Sequence, residues 1–345
     1  MRKLASIQTI KDIQSIPKAD VIDVATVNGW KVVVKKDLHS VGDKIVYCEV
    51  DSFLPIEPEF EFLRKTSYKK MSNGQEGFRL KTITMRGQVS QGLIIPLKDA
   101  QDLCNRNNCR VDLNLEDVGS DVTDALGIIK YERPIPAMLE GVMKGDFPSF
   151  IKKTDQERVQ NLEEVYDQLR EQEWVVTEKL DGTSATFYLY DCEFGVCSRN
   201  IDLLESEDNT FWKVARDIDL KHKMRSRHNS NYALQGELIG EGIQGNPYKI
   251  KGQTVRFFSG FEIDTYSYCS YPSFIEMVRS TSLTTVPILE ESFKLPPTID
   301  ELLEYAEGKS ILNEEVEREG VVLVNRYDGD QSFKVISNKF LLNNE

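Results

Sequence analysis

The chain is 345 residues long, with 40% hydrophobic and 29% charged residues, which suits two globular domains with real cores. No run of about 18 apolar residues occurs, and Met1-Arg2-Lys3-Leu4 leads straight into polar sequence, so neither a membrane span nor a secretory leader is expected. Six scattered cysteines exclude a disulfide scaffold and favour an intracellular, cytoplasmic setting. The net charge of −13 is unevenly spread: residues 1–100 hold 16 Lys+Arg against 12 Asp+Glu, and the remainder 27 against 44. Phosphate responds to the local field, so a mildly basic front keeps nucleic acid open as a partner.

Along the front, Val24-Ala25-Thr26-Val27 and Trp30-Lys31-Val32-Val33-Val34 flank Asn28-Gly29. That dipeptide between β-rich runs predicts a hairpin with a type I′ turn. Further strands are expected over 44–50, 78–85 and 92–97, so residues 1–100 read as a small β-barrel of OB type. The period of two over 78–85 sets Arg79 and Lys81 on one face with Arg86 near, which reads either as a nucleic-acid-binding face or as a solvated strand face. Residues 101–149 read as an irregular linker, with Cys104 and Cys109 as loop thiols and with Pro134, Pro136, Gly141, Gly145 and Pro148 marking the approach to a second domain over 150–345.

That domain opens on Thr154-Asp155-Gln156-Glu157, a capping-box pattern followed at helical spacing by Val159, Leu162, Tyr166 and Leu169, which predicts an amphipathic helix. A strand over 174–177 then meets Glu178-Lys179-Leu180-Asp181-Gly182 and returns over 183–190. The turn fixes Lys179 at a strand end, a rigid place from which an amine can enter a pocket. Gly240-Glu241-Gly242-Ile243-Gln244-Gly245 fits a dinucleotide fingerprint by letter alone. Asn246-Pro247 follows where a helix would have to start, so a loop is predicted instead.

Lys179-x-Asp181-Gly182 resembles motif I of the covalent nucleotidyltransferases, the superfamily of polynucleotide ligases and mRNA capping enzymes. The remaining motifs follow in the superfamily's order. Ser198-Arg199-Asn200 resembles motif Ia, Gln235-Gly236-Glu237-Leu238 motif III, and Phe258-Ser259-Gly260-Phe261-Glu262-Ile263 motif IIIa. Glu319-Gly320-Val321-Val322 resembles motif IV and Ser332-Phe333-Lys334-Val335 motif V. The resemblance implies ATP as substrate and Lys179 as nucleophile, with Asp181 and Lys334 beside it. It implies Glu237 on the ribose, Phe261 stacked on adenine with Val322 on the other face, Glu178 at the adenine edge, and Arg199 and Lys334 on phosphate. Asp181, Glu262 and Glu319 would supply carboxylates to Mg²⁺ or Mn²⁺. A free lysine is almost wholly protonated at neutral pH, so the nucleophile needs a lowered pKa, expected from Lys334, the metal and burial.

The order of the domains narrows the resemblance. Eleven residues follow Lys334, too few for the barrel that DNA ligases and capping enzymes carry there, whereas here the barrel lies in front. That order is similar to the RNA ligase family with an N-terminal OB domain and a C-terminal nucleotidyltransferase domain, an α+β architecture of antiparallel sheets with flanking helices. Gly29-Trp30, Val50-Asp51-Ser52, Lys153-Thr154-Asp155 and Arg158-Val159-Gln160-Asn161 resemble its segments. The second motif V lysine is missing, leaving Lys339 as a candidate substitute. The expectation is an ATP-dependent RNA ligase, monomeric, acting on nicked duplex RNA with an RNA 3′-hydroxyl strand. A DNA ligase, a capping enzyme or a silent RNA-binding OB protein are the alternatives.

Overall fold

The computed structural model describes residues 3–71, 73–107, 109–131, 143–226 and 231–344, and the chain forms two compact units. Pro134, Pro136 and Gly141 lie outside the described residues. Among the described residues, no helix is long and apolar enough to cross a membrane.

The first unit is built of short antiparallel strands. Ala5–Thr9 and Leu93–Pro96 flank Lys44–Cys48, Ile22–Val27 lies between Asp12–Ser15 and Trp30–Lys35, and Ser52–Leu54 pairs with Glu76–Arg79. The expected hairpin closes where Val27 faces Trp30, with Asn28 in the left-handed region at φ 48°. Gly29 is needed for a different reason than a type I′ turn. A Cβ there would lie 2.9 Å from Gln160 Cα, and its N–H donates to the Gln160 carbonyl at 2.9 Å. Residues Gln160–Glu164 belong to this unit, where the Trp30 indole donates to Asn161 Oδ1 and Asn161 Nδ2 to Glu49 Oε1, each at 2.6 Å.

Three expectations are corrected. The strand predicted over 78–85 is two strands, Glu76–Arg79 and Thr82–Met85, because the Leu80 N–H bonds to Ser52 and its carbonyl to Asp51 at the corner between them. The linker predicted from 101 begins inside a helix, Leu97–Arg106, whose Leu103 and Cys104 are buried in the barrel core with Leu113, Val122, Leu126 and Ile128. The helix predicted from Thr154 does not form there. Glu157–Arg158 is a strand parallel to Phe333-Lys334, a 3₁₀ turn spans Val159–Val165, and only Tyr166–Arg170 is α-helical.

The second unit holds two sheets. Thr183–Tyr190, Tyr232–Gly240 and Gln253–Glu262 are central in the larger one, and Phe187, Leu234, Leu238 and Phe257 on them bury against the helices Thr210–Asp217 and Tyr271–Ser280. The smaller sheet is centred on Trp174–Lys179 and Gly320–Asn325, with Ser332–Ile336 beside the latter. After Gly240 no helix begins, so the rejected fingerprint is indeed a loop.

Candidate active site

Strand alternation divides the smaller sheet into two faces. Glu178, Val321 and Val335 lie in register on one face and are buried, while Thr177, Val322 and Lys334 share the other face with Lys179. Lys179 ends its strand, and its Nζ lies 2.6 Å from Glu319 Oε1, just before Gly320 opens the facing strand. Glu237 comes from the larger sheet, between Ser184 and Arg256 in register. Asp181 is fixed by its backbone N–H, which donates to the Tyr248 hydroxyl at 2.6 Å.

These groups form one electrostatic cluster. Burial would drive the proton off Lys179, but Glu319, Glu237 and Asp181 outweigh it and hold the ammonium pKa above the usual lysine range. The lowered pKa expected from sequence is therefore reversed in the chain by itself. Burial pushes Glu237 up to about 8, opposed by Lys179 and Arg199 and aided by Glu319 and Asp181. Among the described residues, no group of three His, Cys, Asp or Glu forms a closed metal cage. Asp181 and Glu319, which both act on the Lys179 ammonium, are the hard oxygen donors that Mg²⁺ or Mn²⁺ takes, and one or two such carboxylates with retained waters suffice for either ion.

Arg199 and Lys334 meet at a residue expected elsewhere. Asp155 Oδ1 lies 3.9 Å from Arg199 Nη2 and 3.7 Å from Lys334 Nζ. Arg158, buried and in register with Lys334, joins the same basic corner. Neither had been singled out for a role, because both were read as part of a helix start.

Three predicted site residues, Phe261, Glu262 and Lys339, lie apart from this cluster. Phe261 is fully buried among Ile151, Tyr188 and Ile263, and the Tyr266 and Tyr268 rings stand edge-on to it at 5.3 and 5.1 Å, so it has no free face for a base. Glu262 pairs with Tyr232, five residues and about 17 Å along the strand from Glu237. It accepts from the Cys269 thiol at 3.6 Å. Glu178 faces the other side of the sheet from Lys179 but acts on the Tyr248 hydroxyl together with Glu319 and Asp181; it accepts the Ile311 N–H at 2.8 Å, and burial raises its pKa. Lys339 is ion-paired with Glu307 at 2.6 Å.

A bulge opposite Gln235-Gly236 frees Phe258 from the register, and its partly exposed ring packs against the cluster of Leu180, Ile239 and Tyr248, whose hydroxyl accepts from the Asp181 N–H.

On the first unit, Arg79 is not a surface cation. It is buried, paired with Asp51 at 3.1 Å and laid on the Tyr131 ring at 4.6 Å. Lys81 is half-buried beyond the strand end, and Arg86 is exposed at a hairpin tip. A different basic segment is exposed. Arg64, Lys65, Lys69 and Lys70 surround Phe62 and Tyr68, which are 67% and 37% exposed, and Tyr68–Lys70 is an edge strand. Arg64 is paired with Glu61 and Lys70 with Glu76; Lys65 and Lys69 have no ion-pair partner among the described residues. The run of four cations with interleaved aromatics was legible in the sequence.

Residues 4–97 match an OB-fold domain family and residues 172–336 the RNA ligase family. Among curated proteins no match is found. Three solved structures of an RNA ligase from Naegleria gruberi are similar over nearly the whole chain, each at 40% identity. An apo variant has a TM-score of 0.90 and covers 99% of this chain and 97% of that one. A variant with AMP and Mn has a TM-score of 0.90 over 99% and 98%. A variant with ATP and Mn has a TM-score of 0.88 over 99% and 97%. With an OB-fold domain in front of a sheet-built unit that carries Lys179 at a strand end, the chain belongs to the RNA ligase family.

Proposed function

We propose that this RNA ligase uses ATP and a divalent cation, acts as a monomer, and seals nicked duplexes whose 3′-hydroxyl strand is RNA. The observation that carries the reading is Lys179, rigid at a strand end, 2.6 Å from Glu319 and within the field of Glu237 and Asp181. The Lys179 amine attacks the α-phosphorus of ATP; an N–P bond forms, the bond to pyrophosphate breaks, and lysyl-AMP results. Glu319 Oε1 is the acceptor nearest the ammonium proton that must leave first. A divalent cation held by Asp181 and Glu319 with retained waters would offset the negative charge that keeps Lys179 protonated. Glu237 takes the ribose hydroxyls, and Arg199 and Lys334 take phosphate. Phe258, rather than Phe261, stacks on adenine, with Val322 on the opposite side. AMP then passes to an RNA 5′-phosphate, and attack by the 3′-hydroxyl releases it.

The exposed surface around Phe62, Lys65, Tyr68 and Lys69 is the RNA grip in this reading, since cations beside exposed aromatics suit a phosphate backbone with unstacked bases. The test is transfer of label from α-labelled ATP to the protein, followed by sealing of nicks with RNA or DNA on either side. Labelled protein that loses its label to a nick with an RNA 3′ strand supports the reading. Labelling in excess EDTA, or equal sealing of an all-DNA nick, refutes it.

A further inference from the structure

We propose that Asp155 is a built-in counter-ion of the phosphate site, seated between Arg199 and Lys334 in the nucleotide-free protein and displaced from them by the incoming polyphosphate. The inference rests on the reading above that these two cations receive phosphate.

Asp155 does not reach this place by chance of a loose chain. The preceding carbonyl of Lys152 accepts two hydrogen bonds, from Gln235 Nε2 at 2.9 Å and from the Tyr268 hydroxyl at 3.0 Å. Lys152 Nζ pairs with Asp330 at 2.8 Å, and Lys153 Nζ donates to Asn200 Oδ1 at 3.3 Å. After Asp155 the chain enters the parallel pairing of Arg158 with Lys334. The backbone is thus held on both sides, and it presents a carboxylate to a corner holding Arg158, Arg199 and Lys334.

The ion pairs themselves are loose. At 3.7 and 3.9 Å they exceed the 2.7–2.9 Å of a charge-assisted hydrogen bond, and the Asp155 and Arg199 side chains are 37% and 58% exposed. Such pairs contribute little stability. They are strong enough to keep two like charges from repelling and weak enough for a phosphate oxygen to replace. When pyrophosphate leaves, the carboxylate returns to the cations. Asp155 therefore costs substrate affinity and in exchange loosens the leaving product. It is a positioning residue for Arg199 and Lys334, outside the chemistry.

The sign of the effect separates this role from a structural one. In full-length protein first freed of AMP with pyrophosphate, Asp155→Asn should lower both the KM for ATP in lysyl-AMP formation and the Kd for pyrophosphate, each by about threefold to tenfold. Asp155→Ser should do the same, and Asp155→Glu, which keeps the charge, should not share the gain. A KM or Kd that rises or stays unchanged in Asp155→Asn and Asp155→Ser overturns the proposal, as would unfolding of both, because a displaceable counter-ion is not needed by the fold. Arg199→Ala and Lys334→Ala are measured alongside. If these fail to weaken pyrophosphate binding, the assignment of the phosphate cations has failed; if they weaken it and the Asp155 variants gain nothing, only the counter-ion has.

Discussion

Glu319 at 2.6 Å holds Lys179 as an ammonium, with Glu237 and Asp181 adding to the same field, so whatever neutralises that field frees the amine. Lys179→Ala should abolish label transfer from α-labelled ATP while the protein keeps its fold, since a partly exposed strand-end amine contributes little to the core. Acid-labile adenylylation of that variant would sink the assignment. The two phenylalanines of motif IIIa make a sharper pair. Phe258→Ala should raise the KM for ATP by about tenfold with little change in Tm, as expected for loss of a stacking face. Phe261→Ala should instead cost about 3–5 kcal/mol of stability, because it empties a sealed aromatic cluster. Thermal melts and labelling kinetics on the two variants would separate them, and a reversed pattern would return the adenine to Phe261.

Between the residue and the molecule, each element shows which sequence signals were sufficient. The Asn-Gly hairpin formed where β-rich runs met a turn dipeptide, yet Gly29 answers to Gln160, a contact from across the sequence that no local rule could contain. Gly29→Ala should therefore lower stability by about 1–3 kcal/mol through overpacking, with lysyl-AMP formation intact below the lowered Tm. An unchanged melt would mean that residues 160–164 are not held as described. The predicted helix from Thr154 failed for a related reason: helical spacing was real, but the Arg158 strand pairing and the contacts of Gln160 and Asn161 outweigh a modest propensity. Motif order named Lys179, Asp181, Glu237 and Glu319, which the structure brings into one electrostatic cluster, and Lys334, which it sets beside Asp155. It could not resolve Phe258 from Phe261, since a single bulge takes Phe258 out of the register while Phe261 is sealed in an aromatic cluster. Glu262 was misplaced because its residue type fits a metal and only the register shows its distance.

At the scale of the whole molecule, charge separates the two tasks. The front hundred residues carry a net positive balance within a chain of net charge −13, and of the three cations the strand period suggested, Arg79 is buried. Arg79 is tied to Asp51 and Tyr131, so Arg79→Ala should destabilise the first unit and leave the salt dependence of nick sealing as it was. Lys65 and Lys69 stand beside Phe62 and Tyr68 on an exposed edge, so replacing both lysines with alanine should leave self-adenylylation and Tm near wild type and weaken nick binding. Each phosphate contact contributes a slope of roughly −0.7 to −0.9 in log K against log salt. The double variant should lose about 1.4 to 1.8 units of that slope, so its binding deficit should shrink roughly tenfold between about 50 and 200 mM salt. Phe62→Ala with Tyr68→Ala should weaken binding by a comparable amount but keep the wild-type slope, because stacking releases no counterions. Binding isotherms on one nicked duplex across that salt range distinguish the two variants. A slope unchanged by loss of both lysines would remove this edge from the RNA path and return the search to Lys81 and Arg86.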